Sequence, residues 1–227
     1  MPAQRVPPEV GAINKAIGDF LNQKDDTGRV IGNARYGIYA FYDYDGEPIY
    51  VGQTTERLRV RIRRHLTNQR TDAVAMNVLD PFEVAEVEIW PFYLEGISTA
   101  EVKDRLAAAE YNVFQKVLQD STLKAVLNEK DIPAKPPIAL PDSHRKRIVP
   151  EEIFESRKHP DTRIARRAQT IAQLARVISE RDVSKGLRRT LLTQAKRLER
   201  LATQRLSEIE GLYPVETLDD DKEVKQQ

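Results

Sequence analysis

Glu110 stands where a carboxylate is expensive. In the stretch after Ser98, the apolar positions Val102, Leu106, Ala109, Val113, Phe114 and Val117 recur at helical spacing, and Glu110 falls on that stripe, one turn after Leu106. Taking a carboxylate out of water is costly unless a cation or hydrogen bonds compensate it. Two readings follow: a site that holds a cation, or an edge position paired with a surface lysine. Arg61 and His65 stand at i and i+4, so a helix there turns a guanidinium and an imidazole to one face. That face is either simply solvated or a place where an anion is met. Two aromatic tripeptides, Gly37-Ile38-Tyr39 and Tyr50-Val51-Gly52, stand ahead of that pair, and either alone says little because strands are rich in Ile and Tyr.

The elements that must position these groups are legible from pattern. Residues 10–22 repeat Val10, Ile13, Ile17 and Leu21 as one helix face, and a polar, glycine-bearing loop follows. Residues 37–42 and 48–51 are aromatic and β-branched, and Asp45-Gly46 between them predicts an antiparallel hairpin. A helix is expected over 55–68 with Leu58, Ile62 and Leu66 inward, and a third strand over 84–90. Ser98 and Glu101 have the spacing of a capping box that opens a helix to about residue 118. Pro133, Pro136, Pro137 and Pro141 suppress regular structure over 131–143. Beyond it, Ile164, Ala168, Ile171, Ala175 and Ile178, then Leu187, Leu191, Leu198 and Leu201, predict a helical hairpin broken at 182–186.

Taken in order, Gly37-Ile38-Tyr39, Tyr50-Val51-Gly52 across a hairpin, Arg61-x-x-x-His65 on the next helix, Glu110 on a later one and Asn128 after it, the chain resembles the GIY-YIG nuclease superfamily, as a restriction-endonuclease-like member. The resemblance spans residues 36–130. Val51 stands where isoleucine is commoner, and no histidine lies between Leu66 and Asp142 to match the second histidine of some members. The resemblance implies an α+β core, a small three-stranded antiparallel sheet flanked by helices, with a C-terminal helical extension. It implies a catalytic set of Tyr39, Tyr50, Arg61, His65 and Glu110, with Gly37, Gly52 and Asn128 in support. Glu110 would be the protein ligand of one Mg2+, for which Mn2+ can substitute. Tyr39 would lie beside the attacking water, Arg61 would neutralise charge in the transition state, Tyr50 would support nucleophile or phosphate, and His65 would orient Tyr39 or take its proton.

Composition bounds the rest. The chain has 227 residues, is 40% hydrophobic and 31% charged, and has no cysteine, which excludes disulfides and thiolate metal sites. No stretch approaches the roughly 20 apolar residues of a membrane span, so a cytoplasmic protein is the default. No Gly-x-Ser-x-Gly elbow and no phosphate-binding glycine loop is present. Residues 144–210 hold 17 Lys and Arg against 9 Asp and Glu, so a net charge of +1 conceals a basic region. The expected organisation is an N-terminal helix and loop (1–35), the core (36–130), a Pro-rich linker (131–143), a basic helical region (144–212) and an acidic, disordered tail (213–227). Arg57, Arg59, Arg63, Arg64 and Arg70 would face DNA. The basic region, with His144, Arg145, Lys146, Arg147, Arg157, Lys158, Arg163, Arg166, Arg167, Arg188 and Arg189, would form a dimerising helical module or dock as a helical hairpin on the catalytic domain, with DNA contact in either case. The expected function is cleavage of double-stranded DNA in restriction or phage defence, with a homodimer through the C-terminal helices and unknown defence subunits as possible partners. A structure-selective repair or recombination nuclease, a homing nuclease, and a DNA-binding or assembly factor with a decayed site are the alternatives.

Overall fold

A computed structural model describes residues 6–67, 78–128 and 130–211. The expected acidic tail, and Arg70 of the expected DNA-facing set, lie outside the described residues. Six α-helices and one antiparallel sheet make up the fold among those residues.

Helix α1 (Pro8–Leu21) starts with proline in its first turn, where the missing N–H costs nothing, and buries Ile17, Phe20 and Leu21. The chain then forms strands β1 (Tyr36–Tyr42) and β2 (Pro48–Thr54). Their turn closes through Asp43: its Oδ1 accepts from the main-chain N–H of Asp45 and Glu47 at 2.9 and 3.1 Å. Gly46 there has a φ of 74°, a left-handed conformation suited to glycine. Helix α2 (Leu58–Thr67) follows, then β3 (Glu86–Phe92) and α3 (Thr99–Asp120). The predicted capping box opens α3: the Ser98 hydroxyl accepts from Glu101 N–H, and the Glu101 carboxylate accepts from Ser98 N–H.

The sheet has four strands in the order β2-β1-β3-β4, where three were expected. The addition is β4 (His144–Arg147), in a segment read as the start of a basic helical region. Its composition disguised it, since four polar residues show no alternation of apolar and polar. Its partner explains it. Glu86 and Glu88 of β3 lie across from Arg147 and Arg145, and Arg145 donates to Glu86 at 2.7 Å. The Arg145 guanidinium also stacks 3.6 Å from the centre of the Tyr42 ring, whose hydroxyl donates to Glu88 at 2.6 Å.

Two cores sandwich the sheet. Ile38, Ala40, Tyr42, Val51 and Trp90 face α3 and pack on Val102, Leu106, Ala109, Val113 and Val117. The other face carries Tyr39, Phe41, Tyr50, Val87 and Ile89 against Ile17, Phe20, Leu58 and Ile62. Helices α4 (Glu151–Lys158), α5 (Pro160–Glu180) and α6 (Lys185–Glu210) complete the chain, and Leu174 and Leu187 join that second core.

Charge as well as oil holds α5 and α6 in place. The buried Asp43 Oδ2 accepts from Arg163 at 3.2 Å, Arg167 at 2.9 Å and Arg197 at 2.5 Å. Arg167 also donates to Glu83, Arg163 pairs with Asp45, and Arg166 donates twice to Asp80. The expectation that Arg163, Arg166 and Arg167 face DNA is therefore corrected: these guanidiniums are used internally, because the acidic partners Asp43, Asp45, Asp80 and Glu83 lie under the helices.

Candidate active site

β1 and β2 run antiparallel with Tyr39 opposite Gly52 and Phe41 opposite Tyr50, so Tyr39, Phe41 and Tyr50 share one face. Helix α2 covers that face and delivers His65 and Arg61 from successive turns. Tyr39 is fully buried, and its hydroxyl lies 2.8 Å from His65 Nε2, while Arg61 Nε donates to it at 3.1 Å. The Tyr50 ring centre lies 6.3 Å from that of Tyr39 and 5.5 Å from that of His65. Four of the five sequence-predicted catalytic residues thus form one contiguous cluster.

Two glycines make the cluster possible by what they lack. A Cβ on Gly52 would stand 2.5 Å from the Tyr39 hydroxyl and 3.0 Å from Tyr50 Cε1, so the phenol lies directly across the Gly52 backbone. A Cβ on Gly37 would meet three Leu58 side-chain atoms within 2.9 Å, so its absence lets the start of α2 approach β1.

Glu110 comes from the opposite layer, on α3, and reaches the same place along the outer edge of β2. Its Oε2 accepts from Gln53 Nε2 at 3.0 Å, and Gln53 is the residue next to Gly52. Asn128 lines the edge two residues earlier. Its Oδ1 accepts from Val51 N–H at 3.1 Å and its Nδ2 donates to the Val51 carbonyl at 2.7 Å, while Leu127 N–H donates to the Ile49 carbonyl at 2.8 Å. The Asn128 amide thereby takes the place of a missing neighbouring strand.

The electrostatics divide along the same line. Burial pushes the Glu110 carboxyl up to about 7, against the opposing pull of the Gln53 main-chain and side-chain donors and the Arg61 charge. Burial, reinforced by the charges of Arg61 and Arg64, drops the His65 imidazole to about 3, so it is neutral in the resting protein. Its Nδ1 is buried with no hydrogen-bond partner among the described residues. Burial works against the Arg61 charge, but the phenols of Tyr39 and Tyr50 and the Glu56 carboxylate outweigh it and raise its pKa.

Among the expected DNA-facing arginines of α2 and the residue just before it, the structure separates two pairs. Arg57 and Arg63 are exposed. Arg59 donates to the Leu21 carbonyl and to Asn22, and Arg64 pairs with Glu56. Gln53 was not singled out from sequence. Its signal is positional: it follows Gly52 and alternates to the strand face opposite Tyr50, the face that α3 covers.

Residues 35–119 match the family model of the GIY-YIG catalytic domain. Residues 35–119 are therefore a catalytic domain of GIY-YIG type, a domain of nuclease class. Comparison with curated proteins and with solved structures gives no match. No described helix is long and apolar enough to cross a membrane.

Proposed function

We propose that the protein is a divalent-metal-dependent endonuclease, Mg2+ serving and Mn2+ able to substitute, that hydrolyses phosphodiesters in double-stranded DNA in a restriction or phage-defence role. The observation that carries this reading is the Tyr39 hydroxyl held between Arg61 and His65, with the Glu110 carboxylate fixed at the next residue along β2.

Among the described residues no group of three or more His, Asp or Glu side chains could hold a metal ion. A lone, part-buried carboxylate oriented by an amide suits a hard cation that keeps most of its waters and takes further ligands from the substrate phosphate. Glu110 would hold it, and when bound it supplies Lewis-acid polarisation of the phosphate.

The chain's own groups do the rest. With its proton passed to His65, Tyr39 would present a phenolate, favoured by the Arg61 N–H, that takes the proton of the attacking water and returns to the phenol. His65 Nε2, 2.8 Å away, is the acceptor for the Tyr39 proton. In the resting site burial, reinforced by the charges of Arg61 and Arg64, suppresses its basicity. An arriving phosphate would offset the charges of Arg61 and Arg64 and so restore part of that basicity. Arg61 then faces the charge that develops on the phosphorus oxygens. Tyr50, packed on both Tyr39 and His65, keeps the phenol and imidazole in register and borders the phosphate. Exposed Arg57, just before α2, and Arg63 on α2 offer contacts to the DNA backbone.

The single compact core with a docked helical region supports the restriction or defence role. One site cuts one strand, so a double-strand break takes a second copy or a second encounter, which light scattering on DNA distinguishes. Plasmid incubated with Mg2+ should yield discrete fragments. Glu110→Ala should abolish cleavage and leave duplex binding within about threefold, since one carboxylate adds little to the sequence-independent phosphate contacts. Persistent cutting by Glu110→Ala would remove the metal assignment.

A further inference from the structure

We infer that Gln53 is a positioning residue of the reaction: its side-chain amide fixes the orientation of the Glu110 carboxylate and so sets the affinity of the site for a divalent cation. The inference rests on the reading of Glu110 as the cation's ligand.

The geometry leads there in three steps. β2 is an edge strand, and its outward-facing groups are taken up in turn: the Ile49 carbonyl by Leu127 N–H, and both Val51 groups by Asn128. Gln53 is the next outward position, and there the partner is Glu110. The side-chain amide donates to Oε2 at 3.0 Å and the Gln53 main-chain N–H also meets the carboxylate, so the two donors of one residue together pin the carboxylate plane against rotation. Among the described residues Glu110 belongs to no group of three or more His, Asp or Glu side chains that could hold a metal ion. A site with many protein ligands tolerates one loose carboxylate, because the others fix the ion. A site with a single one has no such redundancy, and the hydrogen bond to the ligand becomes the main source of preorganisation. Arg61 helps only as a nearby charge, and its Nε is committed to the Tyr39 hydroxyl. The donor must also be neutral, since a cationic one would compete with the metal. A glutamine amide meets that requirement where a lysine at the same position does not.

The test compares the full-length wild type with Gln53→Met, Gln53→Lys and Glu110→Gln, using Mn2+ as the probe. Binding is read by electron paramagnetic resonance in the presence of a short DNA duplex, and cleavage as the Mg2+ concentration that gives half-maximal rate. Gln53→Met keeps the length, the apolar stem and the main-chain donor, and loses only the side-chain donor. It should weaken Mn2+ binding about 10- to 100-fold, the range for loss of such a ligand-orienting bond. Its rate at saturating Mg2+ should recover most of the wild-type value, which a general packing defect would not allow. Gln53→Lys should weaken binding further, despite retaining a donor. Thermal midpoints measured without metal show whether each variant is folded, and Gln53→Lys replaces Gln53→Met if the latter is not. Mn2+ affinity in a folded Gln53 variant equal to that of wild type overturns the inference while leaving the metal reading intact. Mn2+ bound as tightly by Glu110→Gln as by wild type overturns the metal reading itself.

Discussion

The Tyr39 hydroxyl rests over a backbone with no Cβ, and this makes Gly52 the most sensitive apparently inert residue of the site. Gly52→Ala would place a methyl group 2.5 Å from that oxygen. The phenol must then leave the Arg61 and His65 nitrogens, and a displacement of about 1 Å at a reacting group costs roughly 100-fold in rate. Stability should fall by only about 1–3 kcal/mol, the usual cost of overpacking. Cleavage rate measured beside a denaturant melt separates the two, and an unchanged rate in a folded variant would contradict this placement. Glu110 offers a test by pH. Its folded pKa of about 7 lies above the ordinary 4.5, so between those values the folded state holds a proton that the unfolded state has released. The stability from this group is full below pH 4.5 and lost as pH rises through about 7. Glu110→Gln should therefore match wild type in melting midpoint near pH 4.5 and exceed it at pH 8, while losing cleavage. A midpoint difference that does not change with pH would contradict the burial of this carboxyl.

At the scale of elements, the edge of β2 is where the site is assembled and where its cost concentrates. Asn128→Ala removes both partners of Val51 and leaves a strand edge open. The expected loss is about 1–3 kcal/mol, with a fall in activity out of proportion to it, because the same edge carries Gln53 and Glu110. Chemical denaturation and single-turnover cleavage check the two parts, and equal losses in both would show Asn128 to be structural alone. The sequence made much of this level visible. Hairpin, capping box and helix phases follow from periods of 2 and 3.6, and they bring Tyr39, Tyr50, Arg61 and His65 to one face. β4 escaped because polar strands have no amphipathic signature and its meaning lies in Glu86 and Glu88, far away in sequence. Gln53 escaped because its importance depends on the β2 edge being met by α3, a fact of packing rather than of pattern. The charge of residues 144–210 was visible as a count, but its direction was not: whether an arginine points to solvent or to Asp43 depends on the docking of α5 and α6.

For the whole molecule, that docking is enforced by a carboxylate with three guanidiniums. Arg197 donates to Asp43 and also to the Pro48 carbonyl, both in the β1–β2 hairpin. Arg197→Met leaves a buried carboxylate with less compensation and an exposed end of β2. It should destabilise the protein by about 3–5 kcal/mol, the penalty for breaking a buried ion pair from one side. Replacing the cluster together, Asp43→Asn with Arg197→Met, should recover part of that loss. A double mutant no better than the sum of the single ones would show the groups to be uncoupled. Both losses are read from thermal or urea unfolding followed by a single optical probe.

The turn that bears Asp43 gives the catalytic hairpin an anchor that is supplied by residues more than a hundred positions later. Excised at residue 119, the catalytic domain would lose the three guanidiniums that meet Asp43 and the cover that Leu174 and Leu187 give its core, and would be poorly suited to fusion with other DNA readers. Transplanting it requires either taking α5 and α6 along or neutralising Asp43 first. The arginines that look like a grip on DNA act in large part as a latch, so portability of the nuclease is set by one aspartate.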